Sequence, residues 1–199
     1  MARTFECNRP DGLIGRRRLL AGAAAGLALP AFPVLADTAA PAVTGTETEG
    51  KPWSLARYTA AMAASDRPTT ISQAEFDAIQ ARKPAAMALI KTYLEQRFGK
   101  ADPAVLAGFQ QVPREYFHYM YQEHLAAPSE AYETQPKPWA IGYGSALSDY
   151  LGQAYMTQLL APKPGMVSLE IGTGSGFQSS LLSRIVDHAY SIEIIEPLG

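Results

Sequence analysis

Apolar residues recur at helical spacing in the first half of the chain. Ser72 and Glu75 form a capping box at the start of a first stretch, and Gly99 follows the end of a second stretch. Asp102, followed by a proline, has the pattern of an N-cap that opens a third helix. The residues that mark the apolar faces are Phe76, Ile79, Met87, Ile90 and Leu94. This pattern predicts an all-helical region over residues 70–111.

The last third of the chain changes to strand-like runs. Apolar runs at 166–171 and 189–195 predict two buried strands, and the segment between them, 177–186, predicts a helix. The order of strand, glycine-rich turn, helix and strand predicts a right-handed βαβ unit. Ahead of this unit, residues 149–160 read as a further helix, and Ser148 is a candidate for its N-cap.

The N-terminus has the three parts of a secretory signal. The arginine pair Arg16-Arg17 is followed by one residue and two leucines, and residues 19–36 form an uncharged run that ends in Val-Leu-Ala. This pattern resembles a twin-arginine export signal. We therefore expect residues 1–36 to be cleaved on export, with no membrane insertion afterwards, followed by a linker over 37–69 and a periplasmic protein. The alternative is an uncleaved anchor or a misassigned start codon, and a cytoplasmic protein.

Composition and charge exclude several classes of function. The chain has 47% hydrophobic and 18% charged residues, as folded globular proteins do. A net charge of −2 and the lack of a basic stripe argue against a nucleic-acid partner. Cys7, the only cysteine, lies in the predicted signal, and His118 and His124 would stand about 120° apart on a helix. We expect neither a disulfide nor a metal site.

The glycine-rich turn is the candidate cofactor site. Its spacing is G-x-G-x-G, which does not meet the dinucleotide fingerprint at the last glycine. A turn of this kind alone fits a dinucleotide, a mononucleotide or S-adenosylmethionine. Glu170, just before the turn, suits the cationic methyl donor and would repel a pyrophosphate, and Glu193 can accept ribose hydroxyls. The predicted set that binds S-adenosylmethionine is Glu170, Gly172, Thr173, Gly174, Gly176, Gln178 and Glu193.

Six short stretches resemble the protein-L-isoaspartate O-methyltransferase family in order and spacing. They are Val-Pro-Arg-Glu-Tyr-Phe at 112–117, Ala-Tyr-Glu at 131–133, Ile-Gly-Tyr-Gly at 141–144, Tyr-Met-Thr-Gln-Leu-Leu at 155–160, the turn at 169–178, and Ile-Glu-Ile-Ile-Glu-Pro-Leu at 192–198. The resemblance implies that residues 112–199 are the N-terminal part of a class I methyltransferase domain. The resemblance implies a Rossmann-like, doubly wound α/β fold for that domain, and we expect this chain to carry it only as far as its second strand. The implied enzyme transfers a methyl group from S-adenosylmethionine to the free carboxyl of L-isoaspartyl residues, which repairs damaged proteins.

Ser148 matches the active-site serine of that family, whose hydroxyl can hydrogen-bond the substrate carboxylate, and is the predicted catalytic residue. The departures from the family pattern are Ala146 for a threonine, Tyr150 for a proline, Thr134 for an aspartate, and an inserted pair at Trp139-Ala140. All of them fall in the substrate region and none in the glycine turn. Two alternatives therefore stay open: a methyltransferase of the same fold with another exported substrate, and a truncated, non-catalytic relative.

Overall fold

The computed structural model describes residues 52–199 and the backbone of a strand, β1 (Arg3–Asn8). Apart from that strand, the predicted signal peptide of residues 1–36 lies outside the described residues, as does the linker up to residue 51. Among the described residues, no helix is long and apolar enough to cross a membrane.

Three helices precede the strand-rich part: α1 (Leu55–Ala64), α2 (Gln73–Phe98) and α3 (Pro103–Gln111). The predicted helical region and its caps are confirmed, including the reciprocal capping box at the start of α2. The linker predicted over 37–69 is wrong for 55–64, because α1 buries Tyr58 and Met62 completely in the core.

Helix α2 passes through Pro84 as one element, although the sequence pattern suggests two stretches. Proline removes one backbone hydrogen bond and usually kinks or ends a helix. The buried residues on either side of it belong to a single hydrophobic core, so tertiary packing favours continuity. These residues are Phe76, Ile79, Ala86, Ile90 and Leu94.

Two short hairpins connect the helical region to the next helix. The first pairs β2 (Tyr119–Met120) with β3 (Leu125–Ala126), and the second pairs β4 (Trp139–Gly142) with β5 (Ser145–Leu147). Helix α4 (Tyr150–Leu160) follows the second hairpin directly.

The N-cap of α4 is Asp149 and not Ser148, so that prediction is wrong. The Asp149 carboxylate accepts a hydrogen bond of 2.8 Å from the Gly152 amide, and its backbone is extended. Asp149 lies one residue after Ser148, and its carboxylate reaches the first free amides of the helix. Negative charge is also favoured at this end of a helix.

The order of strand, helix and strand is confirmed, with strand β6 (Val167–Ile171), helix α5 (Phe177–Leu182) and strand β7 (His188–Glu193). The prediction that both strands are buried is wrong for β6, whose Val167, Leu169 and Ile171 are 64%, 56% and 76% exposed. Strands β6 and β7 are parallel, and β1 pairs antiparallel with the other edge of β7. The helix is shorter than predicted, because the chain turns after Leu182.

The helical region and the βαβ unit share one hydrophobic core. The Phe177 ring, at the start of α5, lies 5.8 Å from the ring of Phe109 on α3 and 5.3 Å from that of Phe117. A Cβ added at Gly108 on α3 would make an ordinary van der Waals contact with Leu181 on α5, so the two helices pack closely here. This packing fixes the glycine turn against the part of the chain that precedes it.

Candidate functional site

The glycine turn between β6 and α5 requires glycine for its backbone path. Gly172, Gly174 and Gly176 have φ angles of 91°, 52° and 84°, which side chains disfavour. The amides of Gly172 and Thr173 both donate to the Ile192 carbonyl on β7, at 2.7 and 3.3 Å. The turn is therefore tied to the carboxyl ends of both parallel strands, where α/β sheets bind their ligands.

Glu193 is the most strongly held acidic residue of the site. It is 4% exposed at the end of β7, and its carboxylate accepts three backbone N–H groups. The donors are Gly174 at 2.7 Å, and Ile194 and Ile195 at 2.8 Å each. The structure thus brings Glu193 and the glycine turn together, as predicted from their positions in the sequence.

Glu170 lies under the turn, and its carboxylate faces α5 and β7. Its Oε2 accepts hydrogen bonds from the hydroxyl of Ser179 and, at 3.2 Å, from that of Ser191. Burial raises the pKa of Glu170 to about 7, although both hydroxyls oppose the shift. The Glu170 carboxyl therefore titrates near neutral pH. A cationic ligand nearby would favour its ionised form.

The remaining two residues of the predicted cofactor set differ in their placement. Thr173 lies in the turn, and its hydroxyl is 2.5 Å from that of Ser191. Gln178 points away from the turn, since its amide donates to the Thr157 hydroxyl on α4 at 2.9 Å. Its side chain joins two helices, and the structure does not bring it into the group formed by the glycines and Glu193.

Ser148 occupies the junction between β5 and α4, and its side chain is exposed. Within residues 52–199 its hydroxyl has no hydrogen-bond partner, so it is open to a ligand. The hairpin that precedes Ser148 adjoins the turn: a Cβ at Gly174 would lie 3.3 Å from Cδ1 of Ile141 and 4.0 Å from Oγ of Ser145. The predicted catalytic serine therefore follows a hairpin that packs against the glycine turn.

A buried polar network, which no sequence pattern predicted, is built on Arg114 and Glu115, which are 3% and 0% exposed. The Glu115 carboxylate accepts hydrogen bonds from the indole of Trp53, the amide of Gln80 and the hydroxyl of Tyr132, at 2.7, 2.5 and 2.6 Å. The available signal was an adjacent pair of opposite charges inside an otherwise apolar stretch. Fully buried charges are rare unless they are paired or hydrogen-bonded.

Two of the departures from the family pattern line one small pocket. Trp139 and Tyr150 border it together with the buried side chains of Arg114 and His118. The rings of Trp139 and His118 lie 5.3 Å apart. Burial, with a smaller contribution from the Arg114 charge, lowers the pKa of His118 to about 3, so its ring is neutral. Within residues 52–199, no three side chains of the metal-binding types are grouped to hold an ion.

Comparison with known proteins gives a family match over residues 85–199, to the model described as protein-L-isoaspartate(D-aspartate) O-methyltransferase. Protein-L-isoaspartate O-methyltransferase 1 of Cupriavidus necator is 46% identical over 98 residues, which are 49% of this chain and 35% of the relative. A protein-L-isoaspartate O-methyltransferase of Vibrio cholerae is 39% identical over 115 residues, 58% of this chain and 51% of the relative. The chain thus spans about a third to a half of the length of these curated relatives.

A solved structure of a protein-L-isoaspartate O-methyltransferase is similar over 52% of this chain and 30% of the solved chain, with a TM-score of 0.39 and 21% identity.

The family match begins within α2, ahead of the boundary at residue 112 that the resemblance predicts. This difference agrees with the shared core, since α3 packs directly on α5. Residues 85–111 are therefore part of the same structural unit as the glycine turn.

Proposed function

The chain belongs to the protein-L-isoaspartate(D-aspartate) O-methyltransferase family, and we propose on that basis that its protein methylates the free α-carboxyl of L-isoaspartyl residues in damaged proteins. The methyl donor in this proposal is S-adenosylmethionine, bound by a Rossmann-like methyltransferase fold. The single observation that carries it is the buried Glu193 carboxylate, held against a turn with three glycines at positive φ.

The residues of the turn fit S-adenosylmethionine better than a phosphate-bearing cofactor. A Cβ at Gly172 would meet nothing within 4 Å, so the turn has open space beside its backbone. Two carboxylates, Glu170 and Glu193, stand at the carboxyl ends of adjacent strands and would repel a pyrophosphate. Glu193 would take the ribose hydroxyls, and ionised Glu170 would favour the cationic amino group. The bound donor supplies a methyl group on a sulfonium.

The chain's own contribution to the reaction is positioning. The substrate carboxylate is ionised at neutral pH and needs no general base. The exposed Ser148 hydroxyl, with no partner within residues 52–199, can donate a hydrogen bond to that carboxylate. Catalysis then depends on alignment and on the exclusion of water, which well-ordered sites provide.

One observation favours a second candidate, a methyltransferase of the same fold that acts on a different substrate. Trp139 and Tyr150, both departures from the family pattern, line the pocket next to the Ser148 segment. The Tyr150 hydroxyl also donates to the Glu133 carbonyl at 2.6 Å, which fixes the segment of Thr134 against α4. A substrate region rebuilt in this way can select another carboxylate.

The test is methyl transfer from labelled S-adenosylmethionine by the full-length gene product to an isoaspartyl peptide and to its normal aspartyl twin. We expect transfer to the isoaspartyl peptide alone. Transfer to neither peptide, with labelling of other periplasmic proteins, would favour the second candidate. Transfer to no acceptor at all would favour a non-catalytic relative.

Export is proposed from the sequence alone, on the arginine pair and the small residues before Asp37. Residues 1–36 would be removed and the enzyme would act on exported proteins. Mass spectrometry of the cell-envelope fraction should find an N-terminus at Asp37. Protein that is found only in the cytoplasm with Met1 intact would reject export without affecting the proposed reaction.

A further inference from the structure

We propose that Arg114 is a positioning residue, which sets the place of Ser148 relative to the glycine turn. The proposal rests on the function proposed above and adds to it a residue outside the predicted site. In this role Arg114 acts through the backbone of Ser148, and not by direct contact with substrate or cofactor.

The guanidinium group of Arg114 holds both sides of the start of α4. Its Nη2 donates to the Ser148 carbonyl at 2.6 Å, and its Nη1 donates to the Gln153 side chain in the first turn of the helix. A planar guanidinium can make both bonds at once, whereas a lysine ammonium on a flexible stem cannot reproduce this fork. The junction that carries the Ser148 hydroxyl is thereby fixed.

The same guanidinium group is fixed against the other half of the site. Its Cζ lies 4.8 Å from the ring centroid of Phe177, the first residue of α5 after the glycine turn. A cation over an aromatic face is attracted to it, more strongly when both are buried, and Phe177 is 1% exposed. One side chain therefore contacts the substrate-side junction and the cofactor-side helix.

The backbone of Arg114 is itself held in place. Its N–H donates to the Tyr132 hydroxyl at 3.1 Å, and Tyr132 in turn donates to the buried Glu115 carboxylate. Its carbonyl is 3.2 Å from Nδ1 of His118. A largely buried hydrogen-bond network thus holds the backbone from which the guanidinium extends.

A purely structural role would not require a charge at this position. Arg114 is 3% exposed, and within residues 52–199 it forms no ion pair and its Nε has no hydrogen-bond partner. Burial lowers its pKa to about 10, and the nearby Tyr132, Asp149 and Tyr150 side chains offset only part of that. An apolar side chain of similar length would fill the same space without an unpaired buried donor. The retained charge is explained if its two directed bonds position Ser148.

The test is a double-mutant cycle with Arg114→Lys and Ser148→Ala in the full-length protein, with kcat and KM measured on an isoaspartyl peptide. We expect Arg114→Lys to lower kcat at least 10-fold when Ser148 is present, and less than 3-fold in the Ser148→Ala background, while KM changes little. The matched control is Arg82→Lys, because Arg82 also donates to a backbone carbonyl, that of Ser129 at 2.6 Å. It should change kcat less than 2-fold in both backgrounds. An equal loss from Arg114→Lys in both backgrounds would overturn the proposal.

A second measurement does not depend on turnover. Hydrogen exchange should become faster at amides 145–149 in Arg114→Lys, and stay unchanged there in Arg82→Lys. Unchanged exchange at 145–149 in both variants would also overturn the proposal, even if the wild-type protein is inactive. Wild-type protein that fails to methylate the peptide but shows the exchange difference would instead reject the proposed function alone.

Discussion

Replacing Glu193 with glutamine is the sharpest perturbation of the candidate cofactor site. The side chain keeps its size, but one carboxylate oxygen becomes an NH₂ group that cannot accept a hydrogen bond. Either the Gly174 amide or the two amides of Ile194 and Ile195 must then lose their acceptor. The negative charge that would face the ribose hydroxyls in the proposed complex is lost as well.

The expected magnitude follows from these bonds. A hydrogen bond to a charged group contributes about 1.5–3 kcal/mol, and a neutral one about 0.5–1.5 kcal/mol. Losing one charged bond should by itself cost about 1.5–3 kcal/mol of unfolding free energy, and the weakening of the others adds to that. Loss of one charged contact to the ribose should weaken S-adenosylmethionine binding about tenfold or more, since 1.4 kcal/mol is a factor of ten.

Calorimetric titration with S-adenosylmethionine and denaturant unfolding measure the two effects on the same variant. The matched control is Glu123→Gln, which removes one negative charge at an exposed position in the first hairpin. That control should leave both quantities unchanged. If Glu193→Gln binds the cofactor as tightly as the wild type while its stability falls, Glu193 is a structural cap for the turn and the site assignment is incorrect.

Three further predictions test neighbouring positions. Gly174→Val should weaken cofactor binding at least tenfold. Gly99→Val, at a similarly positive φ in open space, should lower stability without affecting binding. Calorimetric titration of both variants separates backbone strain from the loss of the binding site. Because Asp149 and not Ser148 caps α4, Asp149→Ala should cost about 1 kcal/mol of stability, while Ser148→Ala should leave melting unchanged and lower kcat/KM by roughly 10- to 1000-fold. Folding raises the pKa of Glu170 from its ordinary 4.5 to about 7, so the folded state holds an extra proton between these values. The stability due to that proton is complete below pH 4.5 and is lost as the pH rises through 7, and Glu170→Gln should flatten this part of the pH profile of unfolding.

The elements that the sequence could predict are those decided by local physics. The capping box at Ser72 and Glu75 and the glycine turn depend on neighbouring residues, and both are confirmed. The approach of Glu193 to the turn follows from the βαβ order, since parallel strands bring their carboxyl ends to one edge.

The features that were missed depend on partners that are far away in the sequence. Helix α1 exists in a region of linker-like composition because Tyr58 packs on Trp53 and Phe76. Arg114 reaches the Ser148 carbonyl across 34 positions, and Glu115 is hydrogen-bonded to Trp53 across 62. No local pattern specifies such pairs, so the buried network could not be assembled without the fold.

Locating the methyl group on the acceptor distinguishes isoaspartyl methylation from every other carboxyl methylation. The full-length protein is incubated with S-adenosylmethionine and an isoaspartyl peptide that carries one further free carboxylate. The product is kept at acidic pH and is then fragmented in a mass spectrometer. We expect one added methyl group on the α-carboxyl of the isoaspartyl residue, and none on the aspartyl twin. Methylation of the other carboxylate, or of both peptides equally, would contradict it.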